Sequence, residues 1–581
     1  MTLNNQSIRV VIGIDFGTSR SGYAYAFTHD KRIVCRTEWL GQPVPYIKTL
    51  TQILYSPKRK VEAWGYEART RLAELRKNKE AKDYNFFQNF KMQLREGKDR
   101  TQDGPVITTN NGQKFVVLDL IADYLKLLKE LALKEIKDAT AGYLKDSEIL
   151  WCLTIPAIWT DADKQLMRRA AQKAGLIGSD SGDAERLLLV LEPEAAAISC
   201  QEKDQSQLEP GTCFMVVDCG GGTVDITVHE VVEGKGIKEV AEGTGGAYGS
   251  TYVDRSFREY LEKKLTAEVI ERFHDEEPID YLEMMAEWER TKCNFDPQKS
   301  GNVIYFSIRP KLYKILVKNY PEILERLADE QDGEDESIHL DRETMKAIFT
   351  PTLEGLVKKV EEQFKRLGSR GCDIIFLVGG FSTSPLLRQR IEENFGTQVK
   401  KIVMPPFPGA AIVEGAVSFG LNPSTIRARR SRLTYGCLIN RLFNPDIDPT
   451  GKRFFAADKP GWYCNDCFYS FVIAGESVGV DERVLKTFFP MQRNQTQMGF
   501  KFYATKKQEV SYTDEPGVEQ IGEMTVEMPD TTGGLDRVAE VTMYFGKTEI
   551  GSGKYVVISP SRLQTRIVMM NKIPNSTNMI L

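Results

Sequence analysis

The sequence has few histidines, no long apolar run and no excess of basic residues. Its four histidines (His29, His229, His274 and His339) form no metal-binding spacing. No apolar stretch approaches the roughly 20 residues that span a bilayer, so no transmembrane segment is expected. A net charge of −4 lacks the basic surplus typical of general nucleic-acid binders, so no nucleic-acid partner is expected. Residues 1–7 have neither the basic nor the apolar region of a secretory signal.

The cysteines favour a reducing compartment. Ten are present, mostly scattered through apolar stretches, and this pattern predicts free thiols and a cytoplasmic location. Cys464 and Cys467 form a single Cys-x-x-Cys, with no second ligand pair and no later histidine. A turn in a β-rich region is the favoured interpretation of this pair, and a metal or redox role is the alternative.

The chain divides into three segments by composition. A length of 581 residues predicts at least two domains. Residues 1–422 alternate apolar strands with helical patterns, which predicts an α/β domain. Residues 423–432 contain four arginines and are predicted to be a basic, solvated linker. Residues 433–581 carry short β-branched or alternating runs punctuated by Gly, Pro and Asp, which predicts a β-rich domain without a convincing amphipathic helix.

One strand–turn–strand pattern occurs twice. The apolar run at 10–14 leads into a turn that begins at Asp15, and a second strand follows. About 200 residues later, the run at 214–217 leads into Asp218 and another glycine turn. In both copies an Asp lies at the strand end and a Gly follows two positions later. We interpret this as an internal duplication that produces two similar lobes facing each other across a cleft.

These turns have the composition of a phosphate-binding site. Glycine brings the backbone close to a ligand, and consecutive N–H groups form an anion-binding nest. Magnesium needs few carboxylates because it retains water ligands, so Asp15 and Asp218 are the predicted metal residues. One isolated Asp-x-Gly-Thr is usually a β-turn, but two matched copies and a third strand ending in Gly379-Gly380 favour nucleotide binding. No Gly-x-x-x-x-Gly-Lys-Ser/Thr motif is present, which argues against a P-loop enzyme. The predicted phosphate-binding residues are Gly17, Thr18, Ser19, Gly220, Gly221, Gly222 and Thr223.

The order of motifs resembles the ATPase domain of heat-shock protein 70 chaperones over residues 10–421. The motifs that carry the resemblance are Ile12-Gly13-Ile14-Asp15-Phe16-Gly17-Thr18, Leu153-Thr154-Ile155-Pro156, Glu192-Pro193-Glu194-Ala195, Asp218-Cys219-Gly220-Gly221-Gly222-Thr223 and Val378-Gly379-Gly380. The segments Tyr23-Ala24-Tyr25 and Phe90-Lys91-Met92 are similar to the divergent member-twelve branch of that family. The resemblance implies a duplicated, two-lobed, actin-like (ribonuclease H-like) ATPase domain, followed by a β-sandwich-like domain.

The resemblance also implies a role for each matching position. Asp15 and Asp218 would hold Mg²⁺ through water, Lys91 would orient the attacking water, and Glu192 and Asp225 would complete the catalytic network. The alternatives without a functional role are a surface lysine on a helix for Lys91 and a buried acid paired with the backbone for Glu192. The residues expected to bind the phosphates or the nucleoside are the turn residues above together with Glu289, Lys292, Gly379 and Gly380.

Departures from the family pattern leave the function open. Cys293 and Thr383 stand where the family pattern has two arginines that pack on the adenine, and Gly409 stands in a loop expected to contain Asp. No lid-like helix is expected after the β-rich domain. The first hypothesis is an ATP-binding, slowly hydrolysing chaperone that binds client proteins through its β-rich domain under the control of ATP and ADP. The alternative is a nucleotide-binding scaffold or signalling protein with little ATPase or chaperone activity. In either case, the phosphate end is expected to dominate nucleotide affinity.

Overall fold

The chain forms two compact units. The computed structural model describes residues 8–97, 99–101, 103–109, 111–140, 144–178, 183–203, 208–299, 301, 303–546, 548, 551–559 and 562–567. Residues 1–229 and 243–423 make up the first unit, and residues 230–242 and 424–581 make up the second. Within the described ranges, no helix combines the length and apolar character needed to cross a bilayer.

The first part of the chain alternates strands with helices, as the sequence predicts. The strands are β1 (Val10–Phe16), β2 (Arg20–Phe27), β3 (Val34–Cys35), β4 (Thr49–Leu50), β5 (Gln52–Tyr55), β6 (Val61–Trp64), β7 (Asn85–Gln88), β8 (Arg100–Thr101), β9 (Gly104–Thr108), β10 (Lys114–Val116), β11 (Ile149–Ile155), β12 (Leu187–Leu191), β13 (Cys213–Cys219), β14 (Val224–Val232), β15 (Gly236–Gly246), β16 (Val303–Ser307), β17 (Ser337–Asp341), β18 (Ile374–Val378) and β19 (Lys401–Val403). The helices are α1 (Gly65–Lys77), α2 (Phe90–Glu96), α3 (Val117–Ala139), α4 (Asp161–Lys173), α5 (Glu192–Lys203), α6 (Ser250–Leu265), α7 (Ala267–Glu276), α8 (Pro278–Asn294), α9 (Pro310–Asn319), α10 (Pro321–Glu330), α11 (Arg342–Leu367), α12 (Pro385–Phe395) and α13 (Ala411–Leu421).

Sheet topology confirms the predicted duplication. One sheet has the order β12-β11-β1-β2-β3, and the other contains the order β19-β18-β13-β14. In the first sheet β1 runs parallel to β11 and antiparallel to β2, and β11 runs parallel to β12. In the other, β13 runs parallel to β18, which runs parallel to β19. Each repeat therefore places its Asp-containing strand between a parallel neighbour and the next strand in sequence.

The central strands are buried on both faces because helices cover them. Every residue of β1 and of β13 is buried, which explains their continuous apolar sequences. Glycines allow the covering helices to approach closely. A Cβ on Gly415 of α13 would overlap the carbonyl oxygen of Ala195 in α5, and one on Gly13 of β1 would lie 2.9 Å from the Val413 carbonyl oxygen. This tight packing fixes the strand ends that carry the predicted site.

The described part of the second unit consists of strands and short turns, without an α-helix after Leu421. Two sheets, ordered β22-β23-β21-β26-β27 and β25-β28-β29-β30, contribute to a shared apolar core that includes Phe471, Phe488, Phe500 and Val541. This arrangement agrees with the predicted β-sandwich-like character. The strands are β20 (Ile426–Arg430), β21 (Thr434–Leu442), β22 (Arg453–Phe455), β23 (Trp462–Val472), β24 (Ser477–Gly479), β25 (Val484–Phe488), β26 (Gln497–Thr505), β27 (Val518–Glu527), β28 (Val538–Tyr544), β29 (Gly551–Ser559) and β30 (Arg562–Ile567).

The prediction of a solvated linker over residues 423–432 is wrong. Residues 426–430 form β20, which pairs with β15 through Ile237 and Ile426 and with β24 on its other edge. Arg429 is buried, and the backbone N–H of Arg430 donates to Glu239 Oε2 at 2.8 Å. The segment is therefore part of a sheet, and the guanidinium groups of Arg429 and Arg430 donate to the carbonyl oxygens of Gly546 and Gly475.

A buried arginine organises one end of the β-rich unit. Arg537 is fully buried, and its guanidinium donates to the carbonyl oxygens of Arg493, Gln495, Met528, Asp530 and Gly534 at 2.7–3.3 Å. One side chain therefore ties three loop segments together.

The prediction that Cys464 and Cys467 form a turn is also wrong. Both lie inside β23, where they are buried free thiols. Asp466, between them, has a positive φ of 55°, which marks a local irregularity of the strand.

Candidate functional site

The two predicted aspartates occupy equivalent positions. Asp15 is the sixth residue of the seven-residue strand β1, and Asp218 is the sixth residue of the seven-residue strand β13. Both carboxylates are buried, with 2% and 3% of their residue surface exposed. The duplicated strands thus deliver one carboxylate from each repeat to the same region.

The glycine turns that follow these strands lie against each other. A Cβ added to Gly221 would overlap Ser19 Oγ and lie 2.9 Å from Ser19 Cβ. A Cβ added to Gly222 would lie 2.7 Å from Thr18 Oγ1. The structure therefore brings the predicted phosphate-binding residues of both turns together, and it leaves room there only for glycine.

The second turn is fixed to the start of a helix. The backbone N–H of Ser250 donates to Gly220 O at 3.1 Å, and that of Thr251 donates to Gly221 O at 2.9 Å. Both donors belong to the first turn of α6, whose first N–H groups have no acceptors within the helix. This pairing orients the glycine carbonyls toward α6 and holds the turn in one conformation.

Lys91 is a buried residue of the site and not a surface lysine. Its ammonium group lies 2.7 Å from Glu192 Oε1 and over the rings of Phe16 and Trp159, with centroid distances of 5.9 and 5.5 Å. Glu192 is the first residue of α5, and Lys91 is near the start of α2. The tertiary fold therefore pairs two predicted catalytic residues that lie 101 positions apart.

Asp225 joins the same cluster from β14. Its Oδ1 accepts a hydrogen bond from the backbone N–H of Ala157 at 3.0 Å, directly after β11. Asp15 Oδ1 accepts a hydrogen bond from the Thr154 hydroxyl at 3.3 Å. The end of β11 therefore holds one carboxylate from each repeat, which explains why the segment around Thr154 and Ala157 accompanies the two turns.

Lys48 is a member of the cluster that sequence reasoning missed. It is buried just before β4, and its ammonium group lies 2.5 Å from Asp15 Oδ2. Burial alone would lower the pKa of Lys48, but the neighbouring carboxylates of Asp15 and Asp218 raise it overall. No local motif surrounds Lys48, so only the fold reveals its partner.

The cluster has an excess of negative charge. Four carboxylates (Asp15, Glu192, Asp218 and Asp225) face two ammonium groups (Lys48 and Lys91). Burial raises the pKa of Glu192 to about 7, and Asp15 and Asp225 add to this effect while Lys91 opposes it. Burial and the charges of Glu192 and Asp225 also raise the pKa of Asp218 well above its ordinary value. A bound cation would relieve this repulsion.

The residues fit a magnesium ion that keeps its water ligands. Asp218 Oδ1 is buried without a hydrogen-bond partner among the described residues. No three His, Cys, Asp or Glu side chains in the described ranges are arranged to bind a metal directly. Magnesium bound next to phosphates needs only one or two carboxylates and retains several waters. Asp15 and Asp218 are the residues that would hold it.

The predicted nucleoside residues occupy two further places. Gly379 has a φ of 81°, and a Cβ there would lie 2.5 Å from Asp218 Oδ1, so its turn directly adjoins the cluster. Glu289 and Lys292 lie on α8, where the Lys292 ammonium group contacts Glu289 Oε2 at 2.5 Å and Asp254 Oδ1 at 2.6 Å. Of the two positions without arginine, Cys293 is exposed, and the Thr383 hydroxyl donates to the Gly380 carbonyl oxygen at 2.8 Å.

Comparisons with known proteins agree with this geometry. The Hsp70 protein family model matches residues 76–420. The human heat shock 70 kDa protein 12A is 31% identical over an alignment that covers 97% of this chain and 92% of that protein, and the mouse protein 12A gives the same values. The human heat shock 70 kDa protein 12B is 29% identical, with coverage of 94% and 88%. The family match confirms the duplicated actin-like fold and supports nucleotide binding. The chain belongs to the Hsp70 family.

Proposed function

We propose that this chain binds ATP with Mg²⁺ at the two opposed glycine turns, hydrolyses it slowly, and acts as a cytoplasmic Hsp70-like chaperone. The observation that carries the proposal is the buried cluster beside the turns, in which Lys91 pairs with Glu192 at 2.7 Å and Asp15 with Lys48 at 2.5 Å. Phosphoryl transfer demands positioned charge more than covalent chemistry. A buried cluster of paired charges suits that demand.

Each residue has a task that follows from its place. The glycine turns leave space for the phosphate oxygens, and the hydroxyls of Thr18 and Thr223 donate to them. Magnesium, when bound, neutralises phosphate charge and fixes the orientation of the phosphate chain. Lys91 is held by Glu192, so its ammonium group stays in one position, where it orients the attacking water. Asp225 is anchored by the Ala157 N–H and maintains the negative potential that attracts the cation.

The β-rich unit is the proposed partner-binding part, with affinity controlled by whether ATP or ADP is bound. Leu442, Phe455 and Trp462 are 48–63% exposed on neighbouring strands β21, β22 and β23. Large exposed apolar side chains that lie close together are typical of interaction surfaces. This supports binding of unfolded or partly unfolded client proteins.

Steady-state phosphate release tests the catalytic part of the proposal. Lys91→Ala and Asp218→Ala should each reduce the rate at least about 10-fold, since each removes a positioned charge at the reacting phosphate. Lys173→Ala is a matched control because Lys173 is an exposed lysine on a helix of the same unit, paired with Asp119. Equal rates for the wild type, both site variants and the control would show that these residues do not catalyse hydrolysis.

A nucleotide-binding scaffold or signalling role with little turnover is the second candidate. Cys293 and Thr383, at the positions where the family pattern has adenine-packing arginines, favour it. Calorimetric titration with MgATP, combined with a citrate synthase aggregation assay, separates the two functions. ATP-dependent protection of the client supports the chaperone. Tight ATP binding without protection or phosphate release supports the scaffold, and absence of ATP binding refutes both.

A further inference from the structure

An arginine beside the first turn makes contacts that phosphate binding does not explain. Arg20 is the first residue of β2, directly after the turn. Its guanidinium carbon lies 5.4 Å from the ring centroid of Tyr46 and 5.8 Å from that of Tyr66. Arg20 Nη1 also donates to the Tyr66 hydroxyl at 3.0 Å. Three planar groups are therefore assembled next to the turn that precedes Arg20.

Tyr46 connects this assembly to the predicted nucleoside turns. Its backbone is fixed, because Tyr46 N donates to Thr37 O and Trp39 Nε1 donates to Tyr46 O, both at 2.9 Å. Its hydroxyl lies 3.9 Å from the Cβ position of Gly380 and occupies the space that a side chain at Gly409 would need. Gly409 belongs to the loop where the family pattern has an Asp, and the Tyr46 hydroxyl lies against this loop from another part of the chain.

The guanidinium also acts on the residues of α8. Burial alone would raise the pKa of Glu289, but Lys292 and Arg20 together lower it. Cys293 reaches solvent, but partial desolvation of its thiol and the charge of Glu289 raise its pKa to about 11, while Lys292 and Arg20 oppose the shift. Arg20 therefore lies within electrostatic range of the position where the family pattern has an arginine.

We propose that Arg20, stacked with Tyr46 and Tyr66, forms the base-binding wall of the nucleotide site and supplies the planar cation that is missing at position 293. The ligand class is the purine base of a nucleoside triphosphate, so this proposal rests on the proposed function. A guanidinium plane and a tyrosine ring both stack on a purine, and the Tyr46 hydroxyl adds a hydrogen-bonding group at the Gly380–Gly409 side.

Comparison of two ligands tests the proposal on the full-length chain. Dissociation constants for MgATP and for magnesium tripolyphosphate, which has no nucleoside, are measured by calorimetry. Arg20→Ala should weaken MgATP binding about 3- to 30-fold, the range expected for one stacked cation, and change tripolyphosphate binding less than about 2-fold. Arg20→Lys keeps the charge but loses the plane, so its affinity for ATP should lie between those of the wild type and Arg20→Ala. It also provides a folded comparison if Arg20→Ala is unstable.

Arg59→Ala is the matched control, because Arg59 stacks on Phe115 at 4.4 Å in the same unit but contacts none of these residues in the described structure. It should bind both ligands like the wild type. Unchanged ATP affinity in Arg20→Ala overturns the proposal, because the arginine would then not contribute to binding. An equal loss for both ligands also overturns it, because the arginine would then bind phosphate. A wild type that binds neither ligand overturns the proposed function itself, and that outcome is distinct from both.

Discussion

The close contact between the two glycine turns predicts how a single added methyl group would affect nucleotide binding. In Gly221→Ala the new Cβ would overlap Ser19 Oγ and lie 2.9 Å from Ser19 Cβ. Rotation of the hydroxyl relieves the first clash, but the second requires the turns to separate by about 0.5 Å or more. Overpacking of this kind costs roughly 1–3 kcal/mol, so MgATP affinity should fall about 5- to 150-fold.

A second substitution on the opposite turn should reverse this loss. Ser19→Gly removes both the Oγ and the Cβ, after which the nearest atom of residue 19 to the added methyl is its backbone N at 3.5 Å, an ordinary contact. The double variant Ser19→Gly with Gly221→Ala should therefore bind MgATP more tightly than Gly221→Ala alone, although Ser19→Gly by itself loses a hydroxyl. The favourable coupling in this double-mutant cycle is the predicted quantity.

Calorimetric titration of the four proteins gives the coupling directly. Gly301→Ala is the control for a glycine substitution in open space, because the nearest atom to its added methyl is Val303 O at 3.9 Å. It should bind like the wild type. Wild-type affinity in Gly221→Ala, or additive losses in the double variant, would falsify the inference that the contact between the two turns shapes the proposed phosphate site.

Three further predictions concern charge and burial. The pKa of Glu192 is raised from 4.5 to about 7, so its contribution to the stability of the nucleotide-free protein is fully present below pH 4.5 and is lost as pH rises through about 7. Between pH 4.5 and 7, the free energy of unfolding should fall by about 3 kcal/mol more in the wild type than in Glu192→Gln, as measured by thermal unfolding. Parallel pH profiles of the two proteins would contradict this assignment. Lys48→Met leaves the Asp15 carboxylate without its 2.5 Å partner, so added Mg²⁺ should raise the melting temperature more than in the wild type or in the exposed-site control Lys58→Met. Arg537→Ala leaves five carbonyl oxygens without their hydrogen-bond donor. It should lower the free energy of unfolding of the β-rich unit by about 3–5 kcal/mol in urea denaturation. A loss below about 1 kcal/mol would show that water replaces the guanidinium.

Patterns carried by neighbouring residues were predictable from the sequence. The strands that end at Asp15 and Asp218, and the glycines after them, lie in short continuous segments that occur twice, and the structure places them at equivalent positions. Local chemistry was therefore sufficient to predict the duplicated fold and the equivalent positions of the two glycine turns, whereas phosphate binding by these turns stays a prediction. The specific roles of the carboxylates and of Lys91 stay predictions.

Features that depend on distant partners were not predictable. Lys48 and Arg20 have no motif around them, and their importance comes from contacts with Asp15 and with Tyr46 and Tyr66. The arginine-rich segment was misinterpreted because its charge suggested solvent. Its pairing strand β15 lies about 190 residues earlier, and no pattern in one sequence reports such a pairing.

The second unit is built from two separate stretches of the chain, and this determines which fragments can be studied alone. Residues 230–242 belong to that unit although residues of the first unit flank them, so the polypeptide passes between the units at three points. A fragment beginning at residue 424 would lack the strand that carries Ile237, leaving one edge of β20 unpaired and the Glu239 carboxylate absent. A single protease cut near residue 423 would leave two covalent connections intact. Because β15 runs parallel to β20, an independently expressed β-rich unit needs residues 230–242 joined to its amino terminus by a crossover linker of about a dozen residues or more.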